Sequence, residues 1–145
     1  MQNKLTTAKK VTPQAIKECN LPLSTANSVF LTNVTNYQPF YPQTINRTCN
    51  QQIFLLEPDL DHIYPLYLYY YLLSHRANLL SMSSPNQFFN SLRKTELISF
   101  ILAIPSLTEQ QKNIEELTLE MKLLQNQKEL ISLFTQKEQG ILRKN

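Results

Sequence analysis

The sequence predicts an α+β fold, a small mixed sheet with packed helices followed by a long C-terminal coiled-coil helix. Three observations carry that expectation. Two short runs rich in β-branched, aromatic and aliphatic residues, Ser28 to Val34 and Gln52 to Leu56, read as strands. Between Pro65 and Leu80, apolar residues recur at helical spacing. From Thr108 to Gln139 no Gly or Pro interrupts the chain, and Ile114, Leu117, Met121, Leu124 and Ile131 fall on the a/d seam of a coiled coil, with Lys128 filling one a position. A helix of about 30 residues at ~1.5 Å each spans roughly 45 Å, longer than a small domain is wide, so it must find a partner beyond its own domain.

Taken in order, residues 1–10 are polar and lysine-bearing, a frayed start. Thr12-Pro13 reads as N-cap and first residue of a short helix through Ile16 and Lys17, because Pro has no N–H to leave unpaired there. The first strand follows at Ser28 to Val34. Tyr37 to Pro42, with two prolines and three aromatics, reads as a stiff loop or a sheet edge. The second strand, Gln52 to Leu56, ends at Glu57-Pro58-Asp59. The helix from Pro65 places Leu66, Tyr69, Tyr70, Leu73, Ala77 and Leu80 on one side. Ser81 to Asn90 reads as a polar loop, and Leu97 to Ile104 as a short apolar strand buried on both faces. Pro105 stops that strand. Thr108 and Gln111 then have capping-box spacing, and Glu109 complements the helix dipole. The domain expectation is a frayed 1–10, a globular 11–107 and a helix over 108–143.

The long helix has a second apolar edge at Leu119, Leu123, Leu130 and Leu133, roughly opposite the first. One neighbour cannot cover two opposed stripes. Either the helix is the core of a larger bundle, or it is a dimerisation stalk that also docks a further subunit; its length favours the stalk.

Composition bounds the rest. The chain has 145 residues and a net charge of +3, and the helix from Thr108 onward is neutral, so the basic excess lies in residues 1–107. That balance is compatible with phosphate contacts and equally with an ordinary solvated surface. A single glycine, Gly140, stands where about ten are usual, which leaves the turns to Asn, Asp, Ser or Pro. A drifting gene would lose glycines too, and composition does not separate the causes. Cys19 and Cys49 make neither a disulfide framework nor a zinc site, which suits a reduced cytoplasm. The start shows no signal-peptide pattern, and the most apolar window, Ile63 to Leu73, is too short to span a bilayer.

Catalytic and cofactor motifs are missing from the sequence. His62 and His75 lack partners at ligand spacing, and Asp59 and Asp61 sit where charge complementarity at a helix start explains them. Phosphate-binding glycine loops cannot form without glycines. The expectation is a non-enzyme with no cofactor or metal, whose work is recognition. Its polar loops carry Asn, Gln and Arg, side chains able to pair bidentately with adenine or guanine, although Asn-rich loops also arise simply as turns. Tyr67, Tyr69, Tyr70 and Tyr71 fall all round a helix, as core and interface residues rather than base-stacking platforms.

One junction is more specific. Leu97-Ile98-Ser99-Phe100-Ile101-Leu102-Ala103-Ile104-Pro105-Ser106-Leu107-Thr108-Glu109-Gln110-Gln111 resembles the passage from a short strand into the conserved helix of the specificity (S) subunits of type I restriction-modification systems. Ser28-Val29-Phe30-Leu31-Thr32, Thr48-Cys49-Asn50-Gln51 and Tyr67-Leu68-Tyr69-Tyr70-Tyr71-Leu72 are similar to further family segments in matching order. The loop Ser81 to Leu97 resembles another. The family's Trp…Leu-Gly opening and additional first strands have no counterpart, and only one unit is present. The resemblance implies one partial target-recognition domain plus its spacer helix, reading a half-site of a split DNA target. Partners so implied are double-stranded DNA, the methylation (M) subunits, through them the restriction (R) subunit, and a second S unit or a second copy along the helix, with no membrane. Asn36, Arg47, Asn50, Gln51, Asn86, Gln87, Asn90, Arg93 and Lys94 are the candidate DNA contacts, Arg93 and Lys94 toward phosphates. Ile114, Leu117, Met121, Leu124 and Ile131 are the candidate helix interface. The alternative is a degenerate S fragment acting only as a coiled-coil interaction module without DNA binding.

Overall fold

The computed structural model describes residues 10–34, 36–43, 45–85 and 90–142. Their order is α1 (Pro13–Glu18), β1 (Val29–Thr32), β2 (Pro39–Phe40), β3 (Ile53–Leu56), α2 (Pro65–Ser74), α3 (Arg76–Met82), β4 (Ser84–Pro85), β5 (Asn90–Ser91), α4 (Lys94–Ile98) and α5 (Leu107–Leu142). The α+β class holds, with a three-stranded antiparallel sheet and a 36-residue C-terminal helix.

β1 is central, with β2 on one side and β3 on the other. Its residues Val29, Phe30 and Leu31 are all buried because α2 covers one face of the sheet and α1 and its neighbours lie toward the other. The register pairs Val29 with Leu56 and Thr32 with Ile53. At the Val29 end the Glu57 carboxylate accepts hydrogen bonds from the Ser28 hydroxyl and from Thr25 Oγ1, the latter at 2.9 Å, which ties the two strands together. β2 stays at two residues because the Gln38 N–H before it donates to Thr32 Oγ1 at 2.7 Å rather than to the Thr32 carbonyl, although the Thr32 N–H still donates to Gln38 O at 3.1 Å. α1 begins as its sequence requires, with Thr12 Oγ1 accepting from the Ala15 N–H at 3.2 Å.

Several expectations are corrected. The helix from Pro65 is two helices, broken at His75, whose Nδ1 lies 2.9 Å from both the Tyr71 carbonyl and Ser74 Oγ. The face turned to the core is Tyr67, Leu68, Leu72 and Leu79, whereas Leu80, placed on the apolar side by spacing, is 45 % exposed. The interval Ser81 to Asn90 is not wholly a loop: it closes α3, and β4 pairs with β5. Leu97 to Ile104 is not a strand. Its first two residues end α4 and the rest is irregular, with Ile98 73 % and Ile101 87 % exposed. Two tyrosines of α2 occupy that segment's backbone instead of a neighbouring strand: Tyr67 OH donates to Ala103 O at 3.2 Å, and Tyr71 OH accepts from the Ala103 N–H at 3.2 Å.

The turns also differ in part. Asn20 and Asn46 take positive φ as expected of asparagine, but so do Tyr37 at 45° and Gln43 at 51°. Burial holds Tyr37 there, with 1 % exposed. The long helix is capped two residues earlier than its Thr108-Gln111 spacing suggests. Ser106 Oγ accepts from the Glu109 N–H at 3.3 Å, and the Glu109 carboxylate accepts from the Ser106 N–H at 3.1 Å and hydroxyl at 2.8 Å. Gln111 instead donates to Glu115 at 2.9 Å.

Candidate nucleic-acid interface and the stalk

Three polar segments meet where β1 ends and β3 begins. The Asn33 N–H donates to Gln52 O at 2.9 Å, Asn33 Nδ2 donates to Gln51 O at 2.9 Å, and the Leu92 N–H donates to Asn33 O at 2.8 Å. Val34 also bridges Ser91. These bonds draw the turn after β1, the segment before β3 and the strand β5 into one rim. Asn36, Asn50 and Gln51 are exposed on those segments. Asn50 Oδ1 accepts from the Gln52 N–H at 3.0 Å, which shapes the turn and leaves the second lone pair of that oxygen and the NH2 group exposed.

Lys94, the first residue of α4, lines a groove of about 810 Å³ together with Asn50 and Gln51. The floor is apolar, made by Leu55, Leu23 and Ile98 among others, and Glu57 brings the opposite charge. Arg93 has a different setting. Its Nε and terminal nitrogen lie 3.1 and 2.9 Å from Glu96 Oε1, and its own N–H donates to Glu96 Oε2 at 2.7 Å. Arg47 lines an adjoining cavity of about 320 Å³ with Lys10, bordered like the groove by Cys49, and burial raises the Cys49 thiol above its ordinary pKa. Asn86 and Gln87 lie outside the described residues, as does the side chain of Asn90. The sequence reading missed Arg76, whose Nε donates to Asn36 O at 2.8 Å and so fixes the turn that carries Asn36. No local pattern marked it, because helical periodicity runs through the break at His75 that puts Arg76 at the start of α3.

The root of the stalk is built on α2. Gln110 is fully buried. Its Oε1 accepts from the Tyr64 N–H at 2.9 Å, and its Nε2 donates to His62 O at 2.8 Å and to Pro105 O at 2.9 Å. Tyr70 OH lies 3.0 Å from Thr118 Oγ1. Ile114, one of the seam residues, packs in the domain's own core at 9 % exposed. Exposure then climbs along the seam, 37 % at Leu117, 42 % at Met121, 52 % at Leu124 and 65 % at Ile131. The second stripe, Leu119, Leu123, Leu130 and Leu133, is also exposed. Both stripes are therefore open to a neighbour beyond the root.

The Asp59 carboxyl is held below its ordinary pKa by the hydrogen bond from His62 Nδ1 at 2.9 Å and by the Asp61 N–H, a surface turn rather than an acid–base pair. Among the described residues no group of three or more His, Cys, Asp or Glu can hold a metal ion. No helix among them is long and apolar enough to cross a membrane. What the fold presents is a polar rim on a small domain, with a long helix leaving it.

The model of the type I restriction modification DNA specificity domain matches residues 1–133, and the chain belongs to that family. Its class is the specificity subunit of a type I restriction-modification system, a family of non-catalytic DNA recognition. No curated protein matches the chain.

Proposed function

We propose that this chain reads one half-site of a split DNA target and docks methylation subunits along α5, without chemistry of its own. The restriction subunit joins through those methylation subunits, in the cytoplasm. Residues 11–107 serve as the recognition unit and 108–143 as the spacer. The observation that carries the reading is the convergence of Asn50 and Gln51 with the turn after β1, which carries Asn36, on one rim, with Lys94 in the groove beside Asn50 and Gln51. Exposed amides supply paired donors and acceptors to base edges, and a nearby ammonium supplies phosphate attraction. Leu117, Met121, Leu124 and Ile131 form the pairing seam, toward a second S unit or a second copy, while Ile114 is taken up by the domain's own core.

The test is replacement of Asn50 and Gln51 together by Ala, assayed for sequence preference on pooled duplexes in complex with methylation subunits. A changed preference with little change in salt dependence supports base reading; an unchanged preference removes both residues from it.

A second reading has its own support. The groove beside Lys94 is mostly apolar, and both stripes of α5 are exposed, features that serve protein contact as well as DNA. Under that reading the chain pairs through its helix and leaves DNA alone, and a stable complex that retards no duplex is its signature.

A further inference from the structure

A stalk that measures distance is useful only if its angle to the domain is fixed. α5 runs 36 residues, and from Gln110 to its end it extends about 48 Å at ~1.5 Å per residue. Rocking by about 10° at the root would carry the far end some 8 Å, roughly two base-pair steps of ~3.4 Å. Beyond Gln125, which lines the cavity between α2 and the stalk, every α5 side chain described is exposed. The angle must therefore be set near the root.

Apolar packing of Ile114 holds the root down, but such burial is non-directional and tolerates rocking, and the Tyr70 OH to Thr118 Oγ1 bond at 3.0 Å joins single hydroxyl oxygens, a pivot rather than a clamp. Gln110 is different. It is fully buried, and its amide makes three hydrogen bonds of 2.8 to 2.9 Å to backbone groups of two separate segments. Tyr64 and His62 lead into α2, and Pro105 ends the linker from α4. Both amide hydrogens are spent, so the side chain has one orientation that satisfies them. Glutamate cannot replace it when ionised, because a carboxylate has no donor for the His62 and Pro105 carbonyls. Methionine matches its length and offers no hydrogen bond at all.

We infer that Gln110 is a positioning residue: it fixes the direction in which α5 leaves the recognition domain, and so the spacing at which the chain's half-site is read relative to its neighbour's. The second clause rests on the half-site reading above; the first does not.

The experiment measures the angle directly. In the full chain, with Cys19 and Cys49 replaced by Ser, spin labels are attached through Thr95→Cys on α4 and Gln127→Cys on α5. Pulsed distance measurement is made with excess unlabelled chain, so that only intramolecular distances register. With Gln110 present a single narrow distance is expected. Gln110→Met is expected to lose that single peak and give a broad distribution while keeping the native circular dichroism. A distribution as narrow as the parent's would overturn the inference. Should Gln110→Met fail to fold, Gln110→Glu decides. Its protonated carboxyl keeps one donor, so the distribution is expected to be narrow at low pH and to broaden as pH rises. The parent across the same range controls for His62, Glu109 and Tyr67 nearby. A width that ignores pH in Gln110→Glu would overturn the inference. In complex with methylation subunits, Gln110→Met is expected to lose preference for one half-site spacing while retaining the half-site sequence. Retained spacing preference would overturn the spacing role. Failure of the parent to bind DNA would overturn the half-site reading and the spacing role with it, while the label distances still decide the clamp.

Discussion

Replacing Lys94 by Ala separates phosphate attraction from base reading, and its neighbour Arg93 provides the internal comparison. Lys94 opens α4 beside Asn50 and Gln51 and enters none of the ion pairs among the described residues. Arg93 already faces the Glu96 carboxylate at 2.9 Å, with the Arg side chain 67 % and the Glu 15 % exposed. A guanidinium sharing a carboxylate gives a phosphate less than an unshared ammonium does, since the existing pair must be weakened. On B-DNA each phosphate contact contributes about −0.9 to the slope of log affinity against log salt. A fourfold rise in salt therefore changes the weight of one contact about 3.5-fold. Lys94→Ala is expected to flatten the slope by about 0.9, and Arg93→Ala by less. Glu96→Gln, which removes the competing charge, is expected to strengthen binding and steepen the slope. The assay is fluorescence anisotropy on a labelled duplex at several salt concentrations, using the complex with methylation subunits. An unchanged slope in Lys94→Ala, or a shift in base preference at constant slope, would refute the phosphate role.

Further expectations concern the scaffold. Ser106→Ala removes the hydroxyl that accepts from the Glu109 N–H and is expected to cost about 1 kcal/mol, read as a lowered melting temperature, whereas Thr108→Ala leaves it nearly unchanged. Equal effects would restore the cap to Thr108. Leu117→Asp with Leu124→Asp is expected to abolish self-association in sedimentation while the domain still melts cooperatively, because both leucines are exposed in the single chain. Association that survives two charges on the seam would exclude it as the pairing face. Burial, and then the nearby Tyr71 and Glu109, raise the Tyr67 phenol above its ordinary pKa. A raised folded value means that the neutral phenol's contribution is complete below the ordinary phenol range and is lost as pH rises through the raised value. Tyr67→Phe is thus expected to flatten the alkaline arm of the stability profile; an unaltered arm would assign that loss to other groups.

The sequence made the strong local patterns legible: strands of β-branched and aromatic residues, a Thr-Pro helix start, and a long helix free of glycine and proline. It misled where long-range contacts override local pattern. Leu97 to Ile104 has the composition of a buried strand, yet the Tyr67 and Tyr71 hydroxyls of α2, more than 30 residues upstream, take its backbone groups and leave Ile101 in solvent. Thr108 and Ser106 both precede a suitable partner by three residues, and only the geometry shows that Ser106 and Glu109 close the box. The break at His75 was hidden because helical periodicity runs through it. At the rim, exposed Asn50 and Gln51 follow from the turn-forming composition around them. That Arg76 supports the Asn36 turn, and that Gln110 reaches His62 and Tyr64, are contacts across 40 or more residues with no local signature. The family resemblance located the junction containing Gln110 but gave that side chain no role.

The most direct test of the account is selection from a randomised duplex pool by the chain co-purified with methylation subunits, at two salt concentrations. Salt-sensitive retardation with enrichment of a shared half-site is the predicted result. A stable complex that retards no DNA, or retards it with no sequence enriched, would contradict half-site recognition.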